Sequence, residues 1–352
     1  MKRKKQYTFI DLFSGAGGMS YGFEMAGFKP LLAIDNWQDA LDTYKRNNPS
    51  VRTLCADLAS ANIEEIVDGY NLKDVDLIVG GPPCQGFSVA GKRIVDDVRN
   101  KLYKSFVGFV AVCQPKVFVM ENVPNILSIG EGRVKDSIIS DFSRLGYKVE
   151  CKVLTASDFG VPQNRRRAIF VGTKNGAFIF PSPTVSDRIT TSQAISDLPE
   201  ESVSDGSDYQ TTAQSDYQRW ARTDSLAIYN QDTTAHNEKT VRIISLVPDG
   251  GNYKDLPEEF RNTRKVHIAW TRLNSRKPSI TIDTGHRHHF HYCYNRIPTV
   301  RECARIQSFP DKYIFLKSKT SQYKQVGNAV PPLMAKAIAE KVEEALNIQE
   351  DV

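Results

Sequence analysis

Short apolar runs alternate with amphipathic stretches along the first half of the chain. Runs at 7–12, 30–34, 51–55, 75–79, 116–120, 147–154 and 168–172 predict strands. Stretches at 19–26, 39–47, 102–113 and 134–145 carry apolar positions at helical spacing and predict helices between them. Strands linked through helices run parallel, so the pattern predicts an α/β fold with a doubly wound, Rossmann-like sheet. Beyond about Asn175 the alternation stops. Residues 182–240 are rich in Ser, Thr, Asp and Gln, and 241–297 mix short β-like runs with glycine, basic residues and histidines. This reads as a smaller, irregular, β-rich domain. An amphipathic pattern returns from Pro331 to about Leu346, as one helix opened by proline in its first turn. The expected division is a first domain of 1–180 and 319–352, and a second of 181–318.

Composition narrows the class. With 352 residues, 40% hydrophobic and 25% charged, the chain fits a soluble globular protein with a large core. No apolar run is long enough to span a membrane. The basic start, Met1-Lys2-Arg3-Lys4-Lys5, lacks the apolar core of a signal peptide and reads as a solvated tail. Six scattered cysteines without a Cys-x-x-Cys pair argue against a zinc ribbon or a disulfide framework and fit a reducing cytoplasm. The net charge of +5 is compatible with a polyanionic partner without requiring one.

The candidate chemistry gathers at strand ends. The fourth predicted strand runs into Gly80-Gly81-Pro82-Pro83-Cys84-Gln85-Gly86-Phe87-Ser88. This places a thiol on a constrained loop at the edge where open α/β sheets bind ligands, so Cys84 is a candidate nucleophile. The first strand ends in Asp11-Leu12-Phe13-Ser14-Gly15-Ala16-Gly17-Gly18 before a helix. Glycines there let the backbone approach a ligand, although the spacing departs from G-x-G-x-x-G. Asp35, about 20 residues on at the end of the second strand, suits a ribose, and Asp57 follows the third. A nucleoside-containing cofactor is the natural reading; a tight turn without a ligand is the plain alternative. Glu121, closing the fifth strand, suits acid–base work or a helix cap. In Gln163-Asn164-Arg165-Arg166-Arg167, strand alternation is expected to point Arg165 and Arg167 together. His286, His288, His289 and His291 raise a metal site, but no Cys-x-x-Cys or carboxylate accompanies them, although Cys293 is close, so polyanion contact or packing in a β-loop is the preferred reading.

These motifs, with Arg301-Glu302-Cys303-Ala304-Arg305, Phe309-Pro310-Asp311 and Gln325-Val326-Gly327-Asn328-Ala329-Val330-Pro331-Pro332, occur in an order that resembles the DNA (cytosine-5) methyltransferases over nearly the whole chain. The resemblance implies that Cys84 attacks C6 of cytosine, that Glu121 hydrogen-bonds N3 and the exocyclic amine, and that Arg165 and Arg167 frame the base. It implies S-adenosyl-L-methionine as cofactor, with S-adenosyl-L-homocysteine as product and no metal. The implied cofactor positions are Phe13, Ser14, Gly15, Gly17, Asp35, Asn36, Asp57, Leu58, Pro83, Leu102, Asn328 and Val330. Asn36 departs from the bulky apolar residue often found there, with Trp37 next to it. Residues 87–99, carrying Ser88, Lys92, Arg93 and Arg99, resemble the family's mobile catalytic loop. The first domain would be catalytic and cofactor-binding, and 181–318 would recognise the target, with Gly250, Gly251, Arg272, Arg276, Thr281 and Arg287 as DNA-contacting candidates. The implied partner is double-stranded DNA with a short specific site, read by a cytoplasmic monomer, with a companion restriction endonuclease or as an orphan methylase. A tRNA cytosine-5 methyltransferase and a catalytically silent DNA-binding relative are the alternatives; intact Cys84 and an intact glycine turn speak against the latter.

Overall fold

The computed structural model describes residues 5–83, 101–261, 270–285 and 289–350. The chain begins β1 (Thr8–Leu12), α1 (Gly18–Met25), β2 (Lys29–Asp35), α2 (Gln38–Asn47), β3 (Arg52–Cys55), α3 (Ile63–Tyr70), β4 (Leu77–Gly80), α4 (Lys101–Cys113) and β5 (Val117–Asn122). It continues with α5 (Arg133–Ser143), β6 (Lys148–Thr155) and β7 (Arg166–Thr173). The seven strands form one sheet in the order β3-β2-β1-β4-β5-β7-β6.

β1 to β5 pair in parallel, each reached through a helix. β7 departs from the expected all-parallel sheet, pairing antiparallel with both β5 and β6. The reason lies in the connection. Only 156–165 separate β6 from β7, too short for a helical crossover, so the second strand turns back on the first.

The sheet is covered by helices whose apolar faces interlock. Ile10, Leu12, Ile34, Ile78, Phe106, Phe118, Met120 and Phe142 are buried in one cluster. Phe118 of β5 stacks on Phe142 of α5 with ring centroids 3.9 Å apart. The partner of Phe118 on β7 is Gly172, and a Cβ there would stand 2.0 Å from the Phe118 ring. A side chain at that strand position would displace the aromatic stack.

The chain divides into two compact units. Unit 1 comprises Met1–Thr155, Arg166–Thr184 and Met334–Val352, and unit 2 comprises Ala156–Arg165 and Val185–Leu333. Unit 2 contains α6 (Thr191–Ile195), α7 (Asp216–Ala221), α8 (Glu238–Leu246), α9 (Glu258–Arg261), β8 (Thr271–Arg272), β9 (His289–Phe290), α10 (Val300–Ile306) and α11 (Lys319–Asn328). The last helix, α12 (Pro332–Glu350), passes into unit 1. Its Asn347 accepts a hydrogen bond from Tyr7 at 2.9 Å. No described helix is long and apolar enough to cross a membrane.

Among the described residues, regular strand in unit 2 is confined to the parallel pair β8 and β9. Buried charge does much of the ordering there. Arg305, fully buried, donates to both Asp311 oxygens at 2.8 and 2.7 Å and pairs with Asp197. Arg296 grips Glu302 through two nitrogens at 2.7 and 2.8 Å. Such pairs persist in a core only when their remaining polar atoms are also satisfied. Glu302 meets that condition by accepting from Thr299 N, which caps α10.

Candidate active site

In unit 1 the strand order reverses between β1 and β4, where open α/β sheets leave a crevice beyond the strand ends. Leu12 and Gly80 are paired there, so the glycine turn and the Pro-Pro loop leave the sheet from neighbouring strands. Gly80 makes that neighbourhood close: a Cβ on it would lie 2.3 Å from the Leu12 carbonyl oxygen.

The turn after β1 uses three left-handed residues, Phe13 (φ 59°), Gly15 (φ 52°) and Gly17 (φ 88°). Glycine adopts this conformation at little cost; phenylalanine does so only when its surroundings impose it. Here Ser14 N donates to Ile34 O at 3.0 Å and Gly17 N to Ser14 O at 2.9 Å. Asp35 braces the same turn, accepting from Gly15 N at 2.8 Å and from Trp37 N at 2.9 Å. Ser14 Oγ is buried and makes no hydrogen bond among the described residues. A buried hydroxyl without a partner, in a turn whose described backbone amides are otherwise spent, suits a polar group of a ligand. The residues present therefore fit an adenosyl cofactor.

Beneath the turn, Asp11 is almost wholly buried. Ser20 Oγ donates to its Oδ2 at 2.5 Å, and Tyr44 OH donates to Ser20 Oγ at 2.9 Å. Burial pushes the Asp11 carboxyl up to about 7, opposed by the Ser20 bond and reinforced by Asp35 and Glu24. Sequence reading passed over Asp11 as a strand residue, although a carboxylate in an apolar run was the available signal.

The other expected cofactor positions are distributed along the chain. Asn36 is exposed and Trp37 half-buried, at the entry to α2. Asp57 is exposed beyond β3 and accepts from Ala59 N at 3.0 Å. Leu58 is buried in the sheet core and Leu102 half-buried on α4. Asn328, exposed, and Val330, buried, belong to unit 2.

Beyond β4, Pro82 is buried and Pro83 exposed. Asn122 Nδ2 donates to Pro82 O at 3.0 Å, while its Oδ1 accepts from Val123 N at 2.9 Å. Asn122 thus ties the end of β5 to the loop that leads into Cys84, a role that sequence reading did not assign. A Cβ on Gly81 would lie 3.0 Å from Glu121 Oε2, so the Glu121 carboxylate sits against the backbone three residues before Cys84. Arg167 Nε reaches Glu121 Oε1 at 2.5 Å, and Arg167 Nη1 donates to Arg166 O at 2.8 Å. Cys84, Ser88, Lys92, Arg93 and Arg99 lie outside the described residues, as does Arg287.

Two arginine expectations are corrected. Arg165 immediately precedes β7 and belongs to unit 2, whereas Arg167 lies on β7 in unit 1. It is buried in unit 2 and donates to Ile282 O at 3.1 Å and Gly327 O at 2.9 Å. Arg272 is not a DNA-reading side chain. It is 5% exposed, and its nitrogens donate to Val247 O, His291 O, Tyr294 O, Ile244 O and Asn295 Oδ1. A guanidinium has five donors, and all of them are used inside the unit.

The remaining recognition candidates differ. Arg276 and Thr281 are exposed, and Gly250 takes a left-handed φ of 73° in a turn closed by Gly251 N donating to Pro248 O at 2.8 Å. His291 is buried; burial pushes its pKa down to about 4. Its Nδ1 accepts from Cys293 N and Tyr294 N, so this histidine shapes a loop. Among the described residues no group of three or more His, Cys, Asp or Glu is arranged to hold a metal ion.

Comparison with known proteins agrees with this geometry. The family model for C-5 cytosine-specific DNA methylases matches residues 7–344. The type II methyltransferase M1.HphI of Haemophilus parahaemolyticus is 43% identical over 339 residues, covering 95% of this chain and 86% of that protein. M.DdeI of Desulfomicrobium norvegicum is 40% identical over 367 residues, covering 95% and 88%. Among solved structures, a prophage-encoded E. coli protein assigned as a DNA modification methyltransferase superposes with a TM-score of 0.81 at 28% identity, covering 97% of this chain and 100% of that one.

Proposed function

The chain belongs to the C-5 cytosine-specific DNA methylase family and is a DNA cytosine-5 methyltransferase, and we propose that it modifies one short site in duplex DNA through a covalent Cys84 adduct. The observation that carries this reading is the Glu121 carboxylate, lodged against Gly81 at the root of the Cys84 loop and ion-paired to Arg167. C5 of cytosine is a poor nucleophile until a thiolate adds at C6, so methylation there calls for covalent activation.

In this mechanism the target cytosine leaves the stack, because a base inside a duplex is out of reach. The Cys84 thiolate bonds to C6, and the C5=C6 electron pair shifts toward N3, where Glu121 supports protonation. Arg167 orients Glu121 and frames the base. S-adenosyl-L-methionine, when bound, supplies the methyl group to C5. As C5 takes the methyl group the C4=N3 bond re-forms and the N3 proton returns to Glu121; the C5 proton is then lost to a base, its electron pair re-forms C5=C6, and Cys84 departs as thiolate. The turn of Phe13, Ser14, Gly15 and Gly17 with Asp35 holds the cofactor, while Lys92, Arg93 and Arg99 meet DNA phosphates.

Unit 1 is the catalytic body, and unit 2 carries target recognition through the turn at Gly250 and Gly251 and through Thr281. The relatives named type II methyltransferases support a place in a restriction–modification system. The enzyme acts in the cytoplasm as a monomer. Duplex DNA carrying 5-fluorocytosine at the site tests the mechanism, because fluorine at C5 blocks the elimination. A cofactor-dependent adduct that survives denaturation and disappears in Cys84→Ser is expected. An adduct with tRNA and with no DNA would overturn the substrate assignment.

A further inference from the structure

Gln163 and Arg165 flank Asn164 in an extended run within unit 2, so their side chains share one face. Both are buried, and both address Ile282. Ile282 N donates to Gln163 Oε1 at 2.8 Å, and Ile282 O accepts from Arg165 Nη1 at 3.1 Å. The second arm of the Arg165 fork, Nη2, donates to Gly327 O at 2.9 Å. Gln163 Nε2 donates to Gln307 Oε1 at 2.6 Å, and Gln307 Nε2 donates onward to Val326 O at 2.8 Å. Along the backbone edge of the same run Asn164 N donates to Ser279 O at 2.8 Å, and Ser279 N to Pro162 O at 2.9 Å.

Three buried side chains therefore tie 279–284 to 326–329. The two segments also touch through backbone: a Cβ on Gly327 would lie 2.4 Å from Asp283 O. Each carries an exposed residue beside the tie, Thr281 on one and Asn328 on the other.

We infer that Gln163, Arg165 and Gln307 form a clamp that holds these two segments in one register, and that Arg165 is a positioning residue acting through the Ile282 and Gly327 carbonyls. The functional part of this inference rests on the assignment of Thr281 to target recognition. A planar fork with fixed donors bridges two carbonyls in a way that a lysine ammonium does not. Loss of the fork leaves buried carbonyls short of a donor, which weakens the tie between the segments. DNA binding then suffers, while the reacting groups on β5 and β7 stay as they are.

Hydrogen–deuterium exchange of the full-length wild type, Arg165→Lys and Gln307→Met reads the clamp without using activity. Both variants are expected to exchange faster across 279–284 and 326–329, with β1 to β5 unchanged. Single-turnover methylation of site-containing DNA reads its consequence. The DNA concentration for half-saturation is expected to rise about tenfold or more in each variant, with the rate at saturation held within about threefold. The double variant is expected to be no weaker than the weaker single, as groups in one network are non-additive. Unchanged exchange in either segment overturns the clamp. A saturating rate about 100-fold down in Arg165→Lys alone, with half-saturation unchanged, overturns the positioning role. Absence of methylation of any DNA by the wild type would remove the substrate reading and the functional consequence, with exchange still deciding the clamp itself.

Discussion

Arg167 Nε stands 2.5 Å from Glu121 Oε1, joining neighbouring strands that run antiparallel. The pair is mostly shielded, at 14% and 13% side-chain exposure, so water screens it less than a surface ion pair. It fixes a carboxylate at the mouth of β5 that would otherwise swing.

Removal of either partner should abolish most activity without unfolding the chain. Glu121→Gln keeps the shape and loses the acid, and is expected to slow methyl transfer by about 10²–10⁴-fold. Arg167→Ala should fall in the same range, with Arg167→Lys between it and wild type. Incorporation of labelled methyl into DNA measures the loss, and circular dichroism checks the fold.

Gly80 and Gly81 should respond differently to alanine although they are adjacent. The Gly80 Cβ would meet the Leu12 backbone at 2.3 Å, which cannot move without parting β1 from β4. Gly80→Ala is expected to lose about 2–3 kcal/mol in urea titration. The Gly81 Cβ would meet the movable end of Glu121 at 3.0 Å. Gly81→Ala should leave stability within about 1 kcal/mol yet reduce methyl transfer about tenfold, because the acid is displaced.

Arg272 should behave as a strut. Arg272→Ala removes the guanidinium donors from four carbonyls and Asn295 Oδ1, of which Ile244 O keeps a bond from Val247 N. A loss of about 3 kcal/mol or more is expected, read as a lower unfolding midpoint. Thr281→Ala, at an exposed position, should stay within about 0.5 kcal/mol while altering DNA binding.

The strands of the sheet were legible because buried runs such as Leu77-Ile78-Val79 are apolar whatever surrounds them. Glu121 was legible because it follows the end of a predicted strand, whereas the expected Cys84 loop lies outside the described residues. The fate of Arg272 was not, since an arginine in a polar stretch reads as exposed and only carbonyls from 244 to 294 reveal its burial. The direction of β7 and the separation of Arg165 from it depended on the connection at 156–165, where apolar periodicity carries no signal.

Asp11 should make stability depend on pH near neutrality. Its folded pKa, about 7, lies above the ordinary 3.8, because burial disfavours the charge. The folded state therefore holds a proton that the unfolded chain has released between these values. Stability is highest below the lower value, falls as pH rises through the window, and levels off above the higher one. Glu24, pushed up to about 7 by burial, acts in the same direction. Asp11→Asn keeps an acceptor for Ser20 and should remove part of the slope, gaining roughly 2–4 kcal/mol at pH 8 relative to wild type. Parallel urea titrations at pH 5 and pH 8 measure it.

Bisulfite sequencing of plasmid DNA from cells expressing the wild type or Cys84→Ser tests the central claim most directly, since it reports activity, the modified base and the site together. The account predicts protected cytosines within one short recurring sequence in the wild type and none in Cys84→Ser. Absence of protection in the wild type, or the same protection in Cys84→Ser, would contradict it.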